Sequence, residues 1–157
     1  MSVAFSEKAL QEFERLLTRY PNREAAILPT LHLLQREHGR ISDEGILYVA
    51  SLLGFPSARI EGVATFYTMY NRRPVGKYHL QICRNLSCSL MGAEHLIGYL
   101  SEKLGVKPGE TTADGNFTLT TVECLGSCGT APVMQVNDDY HENLSEDAID
   151  ALLDGLR

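Results

Sequence analysis

No stretch of this chain approaches the roughly 20 apolar residues that a membrane-spanning helix needs; the most apolar run, residues 46–55, is far shorter. Residues 1–10 lack the cationic start and apolar stretch of a secretory signal, so a cytoplasmic protein is the expectation. Positive charge is not in excess. Fourteen Lys and Arg stand against twenty Asp and Glu, a net charge of −6, which argues against a phosphate- or nucleic-acid-binding surface and otherwise serves solubility. No Gly-x-Gly-x-x-Gly follows a predicted strand and no Walker-type loop occurs, so the chain shows no nucleotide site of its own. There is no Cys-x-x-Cys pair, which leaves little support for a thiol–disulfide enzyme. Internal repeats and low-complexity segments are absent too.

The 157 residues have room for one ordinary domain or two small ones, and 44% apolar with 22% charged content is that of a globular protein. The first part reads as helices. Ser6 caps a helix carrying Leu10, Phe13, Leu17 and Tyr20 until Pro21 stops it. A second starts after Asn22, with Ile27, Leu28, Leu31 and Leu34 on one side and Gly39 at its end; Pro29 falls early enough to be tolerated or to kink it. Ser42 caps a third, with Ile46, Val49, Ala50 and Leu53 inward and Gly54 closing it, and Pro56 and Ser57 open a fourth through Phe66. Residues 1–70 thus predict a helical bundle, and the polar, Pro- and Gly-containing residues 71–76 a connector.

Over residues 77–157 the period changes. Tyr78, Leu80 and Ile82 alternate with His79 and Gln81 as a half-buried strand, and a helix with Leu90, Ala93, Ile97, Leu100 and Leu104 on one face follows. Residues 117–122 and 133–136 read as further strands, and Asn137-Asp138-Asp139 as a turn into a short strand at Tyr140 and His141. Ser145 caps a last helix over residues 146–154. The order β-α-β-β-α predicts a small α/β sandwich, and the whole chain an α+β protein.

The four cysteines form two pairs, Cys83-x4-Cys88 and Cys124-x3-Cys128, each just beyond a predicted strand. If those strands are parallel neighbours, their C-terminal ends share one sheet edge and all four sulfurs converge there. In a reducing compartment such cysteines are metal ligands or redox groups rather than disulfides. A [2Fe–2S] cluster takes four thiolates, two per iron, and a structural zinc takes four at similar spacings, so spacing alone does not separate the two. Gly92, Gly126 and Gly129 allow close backbone approach, amide groups in such loops can donate to sulfur, and Ser89 is placed to cap a helix after Cys88. His79 and His141 lie near the cysteine edge, but with four cysteines already paired neither is needed as a Rieske-type ligand; His32, His38 and His95 read as ordinary imidazoles. Arg72, Arg73 and Lys77 read as a solvated linker or a contact for an acidic partner. Phe66, Tyr67, Met69 and Tyr70 read as core or as a docking surface.

Several runs are distinctive: Cys-Arg-Asn-Leu-Ser-Cys-Ser-Leu-Met-Gly (83–92), Cys-Leu-Gly-Ser-Cys-Gly-Thr-Ala-Pro (124–132), Ala64-Thr65-Phe66-Tyr67 and Val136-Asn137-Asp138. Together they resemble the thioredoxin-like [2Fe–2S] family, and within it the E-type iron–sulfur subunits of bacterial NADH:quinone oxidoreductase, respiratory complex I. The resemblance runs from about Leu10 to Leu153. It implies a thioredoxin-like domain over residues 77–157 and one [2Fe–2S] cluster on Cys83, Cys88, Cys124 and Cys128. It further implies electron transfer as the function, with FMN and NADH on a partner subunit, and a place peripheral to the membrane. Related subunits serve NAD-reducing hydrogenases and NAD-dependent formate dehydrogenases; a zinc-stabilised adaptor is the reading of a different class. One departure is Arg84, where such sequences often have a small polar residue; a cation there would lie close to a cluster and raise its potential.

Overall fold

A computed structural model describes residues 3–156, in two compact units that divide between Pro74 and Val75. The first is helical: α1 (Glu7–Arg19), α2 (Ile27–His38), α3 (Asp43–Leu53) and α4 (Ser57–Phe66). Ser6 caps α1, its Oγ accepting the Ala9 N–H at 3.3 Å, and Ser42 caps α3 through the Gly45 N–H at 3.1 Å. Gly39 and Gly54 end α2 and α3 with φ of 75° and 76°, a left-handed turn that glycine adopts without a Cβ penalty. The start of α2 differs from expectation. Asn22 Oδ1 accepts the Ala25 N–H at 2.9 Å and forms a turn first, so the helix begins at Ile27 and Pro29 sits in its first turn, where an N–H has no helical partner anyway.

Leu31, Leu34, Ile41, Val49, Leu53 and Ile60 fill this unit's core. In α1 the buried stripe is carried by Ala9 and Phe13, with Leu10 and Tyr20 more open to solvent, because Phe5 from ahead of the helix packs near Phe13 and Tyr48 and turns that face inward. The aromatic cluster divides: Tyr70 is buried and donates to the Leu28 carbonyl at 2.9 Å, while Phe66 is 76% exposed. Arg72 is not a free cation, since it pairs with Asp43 at 2.6 Å.

The second unit is built on a four-stranded sheet of β1 (Tyr78–Cys83), β2 (Phe117–Val122), β3 (Met134–Val136) and β4 (Asp139–His141), in the order β2-β1-β3-β4. β1 and β2 are parallel, with Tyr78 opposite Phe117 and Cys83 opposite Val122; β1–β3 and β3–β4 are antiparallel. Between β1 and β2 lie α5 (Leu86–Leu90) and α6 (Ala93–Leu104), and α7 (Glu146–Leu156) ends the chain. Leu80, Ile82, Leu119, Met134 and Val136 from the sheet pack with Leu96 and Leu100 of α6 and Ile149 and Leu153 of α7. Tyr99 donates to Asp150 at 2.6 Å, and Lys103 pairs with the same carboxylate, tying α6 to α7.

Two expectations are corrected here. The single helix running from Leu90 to Leu104 is two helices, broken at Met91–Gly92, where Gly92 has φ 94° and Leu90 is left 78% exposed. The last helix does not stop at Asp154 but passes Gly155, because the apolar positions Ile149, Leu152, Leu153 and Leu156 keep helical spacing against the sheet.

Candidate metal centre

Parallel register delivers the cysteines to one place. Cys83 is the last residue of β1 and lies opposite Val122, the last residue of β2, so the segment with Cys124 and Cys128 leaves the sheet beside it. β3 returns antiparallel with Met134 opposite Ile82, and so begins at that same edge. The chain before β3 is pinned there by the Cys83 N–H donating to the Val133 carbonyl at 3.0 Å. Cys88 lies within α5, which Asn85 caps by accepting the Leu86 N–H at 2.7 Å. The expected cap, Ser89, is inside that helix and caps nothing; α6 starts at Gly92 without a side-chain cap. Asn just after a strand is a readable cap signal, and it is the one the chain uses.

Cys83, Cys88, Cys124 and Cys128 line one cavity of about 170 Å3, with Asn85, Leu86, Gly126, Ser127 and Val133 among the other walls. A water needs about 10–15 Å3 of such space, so the cavity has room for a compact inorganic group. All four cysteines are free. Cys83 and Cys88 are buried against Ala93 and Val133, whereas Cys124 and Cys128 are exposed. Among the described residues no three His, Cys, Asp or Glu side chains are grouped tightly enough around one point to hold a single ion.

Backbone N–H groups are aimed at the sulfurs. The Gly126 N–H donates to Cys124 Sγ at 3.3 Å, from a loop that Gly126 turns with φ 78°. Burial works against ionising Cys83, yet N–H groups of Asn85 and Leu125 and the Cys88 thiol donate to it and hold its pKa below the usual thiol value. Cys88 moves the other way: burial, and then the proton it shares with Cys83, raise its pKa against the lowering effect of the Val133 N–H. N–H donors lower the energy of a thiolate, the form that binds metal.

Residues that the sequence did not single out brace the second cysteine segment. Tyr140 Oη donates to the Leu125 carbonyl at 3.0 Å. Glu142 accepts from Thr130 Oγ1 at 2.8 Å and from Ser127 Oγ, and the two hydroxyls meet at 2.8 Å. Nothing in their spacing announces this, since the contacts depend on β4 folding back beside β3. The histidines stay outside: His79 is buried, its Nε2 2.9 Å from Thr120 Oγ1, and burial pushes its pKa down. Neither His79 nor His141 lines the cysteine cavity. Arg84 is not the lone cation that the sequence suggested, because Glu123 accepts from its Nε at 3.0 Å and its Nη2 at 2.6 Å.

Comparison with known proteins places the chain as a whole. The sequence model of the thioredoxin-like [2Fe-2S] ferredoxin family matches residues 13–157. An E-type NADH-quinone oxidoreductase subunit of Rhizobium meliloti is 49% identical over 147 residues, covering 94% of this chain and 88% of that protein. NADH-quinone oxidoreductase subunit 2 of Thermus thermophilus is 51% identical over 151 residues, covering 94% and 83%. The E-type subunit of Rickettsia conorii is 45% identical over 156 residues, covering 98% and 93%. Among solved structures, an NAD+-reducing [NiFe]-hydrogenase in the H2-reduced state superposes with a TM-score of 0.72 over 83% of this chain at 21% identity. This chain spans only 22% of that hydrogenase chain, so the likeness is one of fold.

Proposed function

Because this chain belongs to the thioredoxin-like [2Fe–2S] ferredoxin family, we propose that it is the electron-transfer iron–sulfur subunit of an NADH:quinone oxidoreductase. Cys83, Cys88, Cys124 and Cys128 would hold one [2Fe–2S] cluster through their thiolates. When bound, that group supplies a one-electron acceptor and donor. Its place here is supported by a single observation above the rest: four free thiols, brought by β1, α5 and the β2–β3 segment, line one cavity at one sheet edge.

The chain's own residues prepare that place. The buried Cys83 and Cys88 present sulfur in a low-dielectric wall, and the Gly126 N–H donates to Cys124, offsetting the charge of a thiolate. Residues 77–157 form the cluster-bearing domain, residues 71–76 the connector and residues 1–70 a helical part. The hydride chemistry, with FMN and NADH, belongs to a partner flavin- and NADH-binding subunit, which exchanges single electrons with this one. Among the described residues no helix is long and apolar enough to cross a membrane, in keeping with a subunit peripheral to a membrane-associated complex.

The full chain, purified without reconstitution, is expected to be red-brown, to contain about two irons and two acid-labile sulfides, and to show a rhombic EPR signal on reduction with dithionite. A colourless protein with one zinc per chain overturns the proposal in favour of a redox-inert adaptor. The hydrogenase likeness makes a diaphorase subunit of an NAD-reducing hydrogenase the second reading. Co-purification separates the two by whether quinone-reductase or hydrogenase subunits come with the chain.

A further inference from the structure

The two cysteine-bearing segments carry opposite charges at matching positions. Arg84 directly follows Cys83 and Glu123 directly precedes Cys124. The register that sets Cys83 opposite Val122 brings the next residues together, with the Arg84 N–H donating to the Val122 carbonyl at 3.0 Å. One carboxylate oxygen of Glu123 then receives both Nε and Nη2 of Arg84. Their side chains are 51% and 73% exposed, and an ion pair this open adds little to stability. The ladder already holds the two strands together without it.

Position gives the pair a different use. The reduction potential of a thiolate-bound iron group depends on the charges around it. A lone cation beside Cys83 favours the reduced, more negative state, and a lone carboxylate beside Cys124 favours the oxidised one. Held against each other, the two fields largely cancel. Resting on the [2Fe–2S] reading above, we propose that Arg84 and Glu123 are a charge-compensated pair of positioning residues, each cancelling the shift that the other alone would impose on the potential of the group held by the four cysteines. Neither side chain lines the cavity; both act on the sulfurs of their neighbours through the field alone.

The test uses the full chain with its native iron, its iron and sulfide assayed first, and an EPR-monitored redox titration with dithionite. Glu123→Gln is expected to raise the reduced-to-oxidised ratio at a fixed poise by about two- to tenfold, and Arg84→Gln to lower it by a similar factor; tenfold corresponds to 59 mV for one electron. The exchange Arg84→Glu with Glu123→Arg is expected to return within about twofold of the parent, and added salt to shrink the single-variant shifts. Melting temperatures are expected to stay together, which a merely structural pair would not allow. Shifts of the same sign in both single variants, no shift in either, or an exchange variant as displaced as a single one overturns the pair's role and leaves the cluster reading intact. Absence of iron from the parent chain overturns the cluster reading, and this inference with it.

Discussion

Ile82 ties the fold to the thiols, and shortening it to alanine tests that tie. It is fully buried, pairs with Thr121 on β2 and Met134 on β3, and is followed at once by Cys83. Ile82→Ala removes three carbons. At about 0.8 kcal/mol each that forfeits roughly 2.4 kcal/mol of transfer free energy. The side chain lies among Leu96, Leu100, Ile149 and Leu153, on helices already tied together by Tyr99, Asp150 and Lys103, so the space closes poorly and the total rises to about 3 kcal/mol. A unit of this size shifts by about 4–8 °C per kcal/mol, which places the fall in its melting temperature at about 12–24 °C. Ile82→Val, losing one carbon, is expected to show about a third of that. The assay is circular dichroism on the full chain, with visible absorbance followed in the same scan. Because Cys83 rides on the end of the same strand, the colour should be lost at the same temperature as the sheet. A melting temperature for Ile82→Ala within 3 °C of the parent would refute the packing argument, and colour that outlasts the sheet would refute the tie between strand and thiol.

Other perturbations have definite outcomes. Cys124→Ala leaves three thiolates and is expected to abolish the EPR signal; an intact spectrum would contradict the ligand set. Glu142→Ala strips the acceptor from Ser127 and Thr130 and is expected to speed loss of colour to a chelator severalfold with little change in melting, so an unchanged rate counts against the brace. Gly76→Ala puts a Cβ 2.8 Å from the Asn116 carbonyl oxygen and 2.9 Å from that of Gly115, backbone that cannot rotate away, at an expected cost of about 1–3 kcal/mol in a denaturant melt. His79 is buried with its pKa below the usual 6.5, so the unfolded chain takes up its proton first as the pH falls. Its contribution to stability is therefore complete above about pH 6.5 and is lost progressively below it. Denaturant midpoints at pH 7.5 and 5.5 should separate less in His79→Gln than in the parent, and an equal separation would remove His79 from the account.

Much of this was written plainly in the chain. Ser6, Gly39, Ser42 and Gly54 mark helix ends by local chemistry, and the alternation of Tyr78, Leu80 and Ile82 gives β1 its inward face; each needs only neighbours in sequence. The cysteine pairs and their place after two strands were legible as a candidate site, and parallel pairing was the one long-range step needed to bring them to one cavity. What escaped depends on tertiary contact. The break at Gly92 is hidden because Leu90 continues the apolar period that α6 uses. The Tyr140 and Glu142 contacts exist only once β4 lies beside β3. Arg84 looked like an unopposed cation because its counter-charge is distant in sequence, one step past the end of the neighbouring strand.

The register of β1 on β2 has a bearing on redesign. Where the cysteines lie relative to one another is set by which rungs face each other, not by how much chain runs between them. The turn at Thr112, Asp114 and Gly115 sits at the opposite end of β2 from Val122. A label or short peptide spliced there would lengthen the crossover without moving the thiols, which makes that turn the natural handle for attaching this protein to an electrode or a probe.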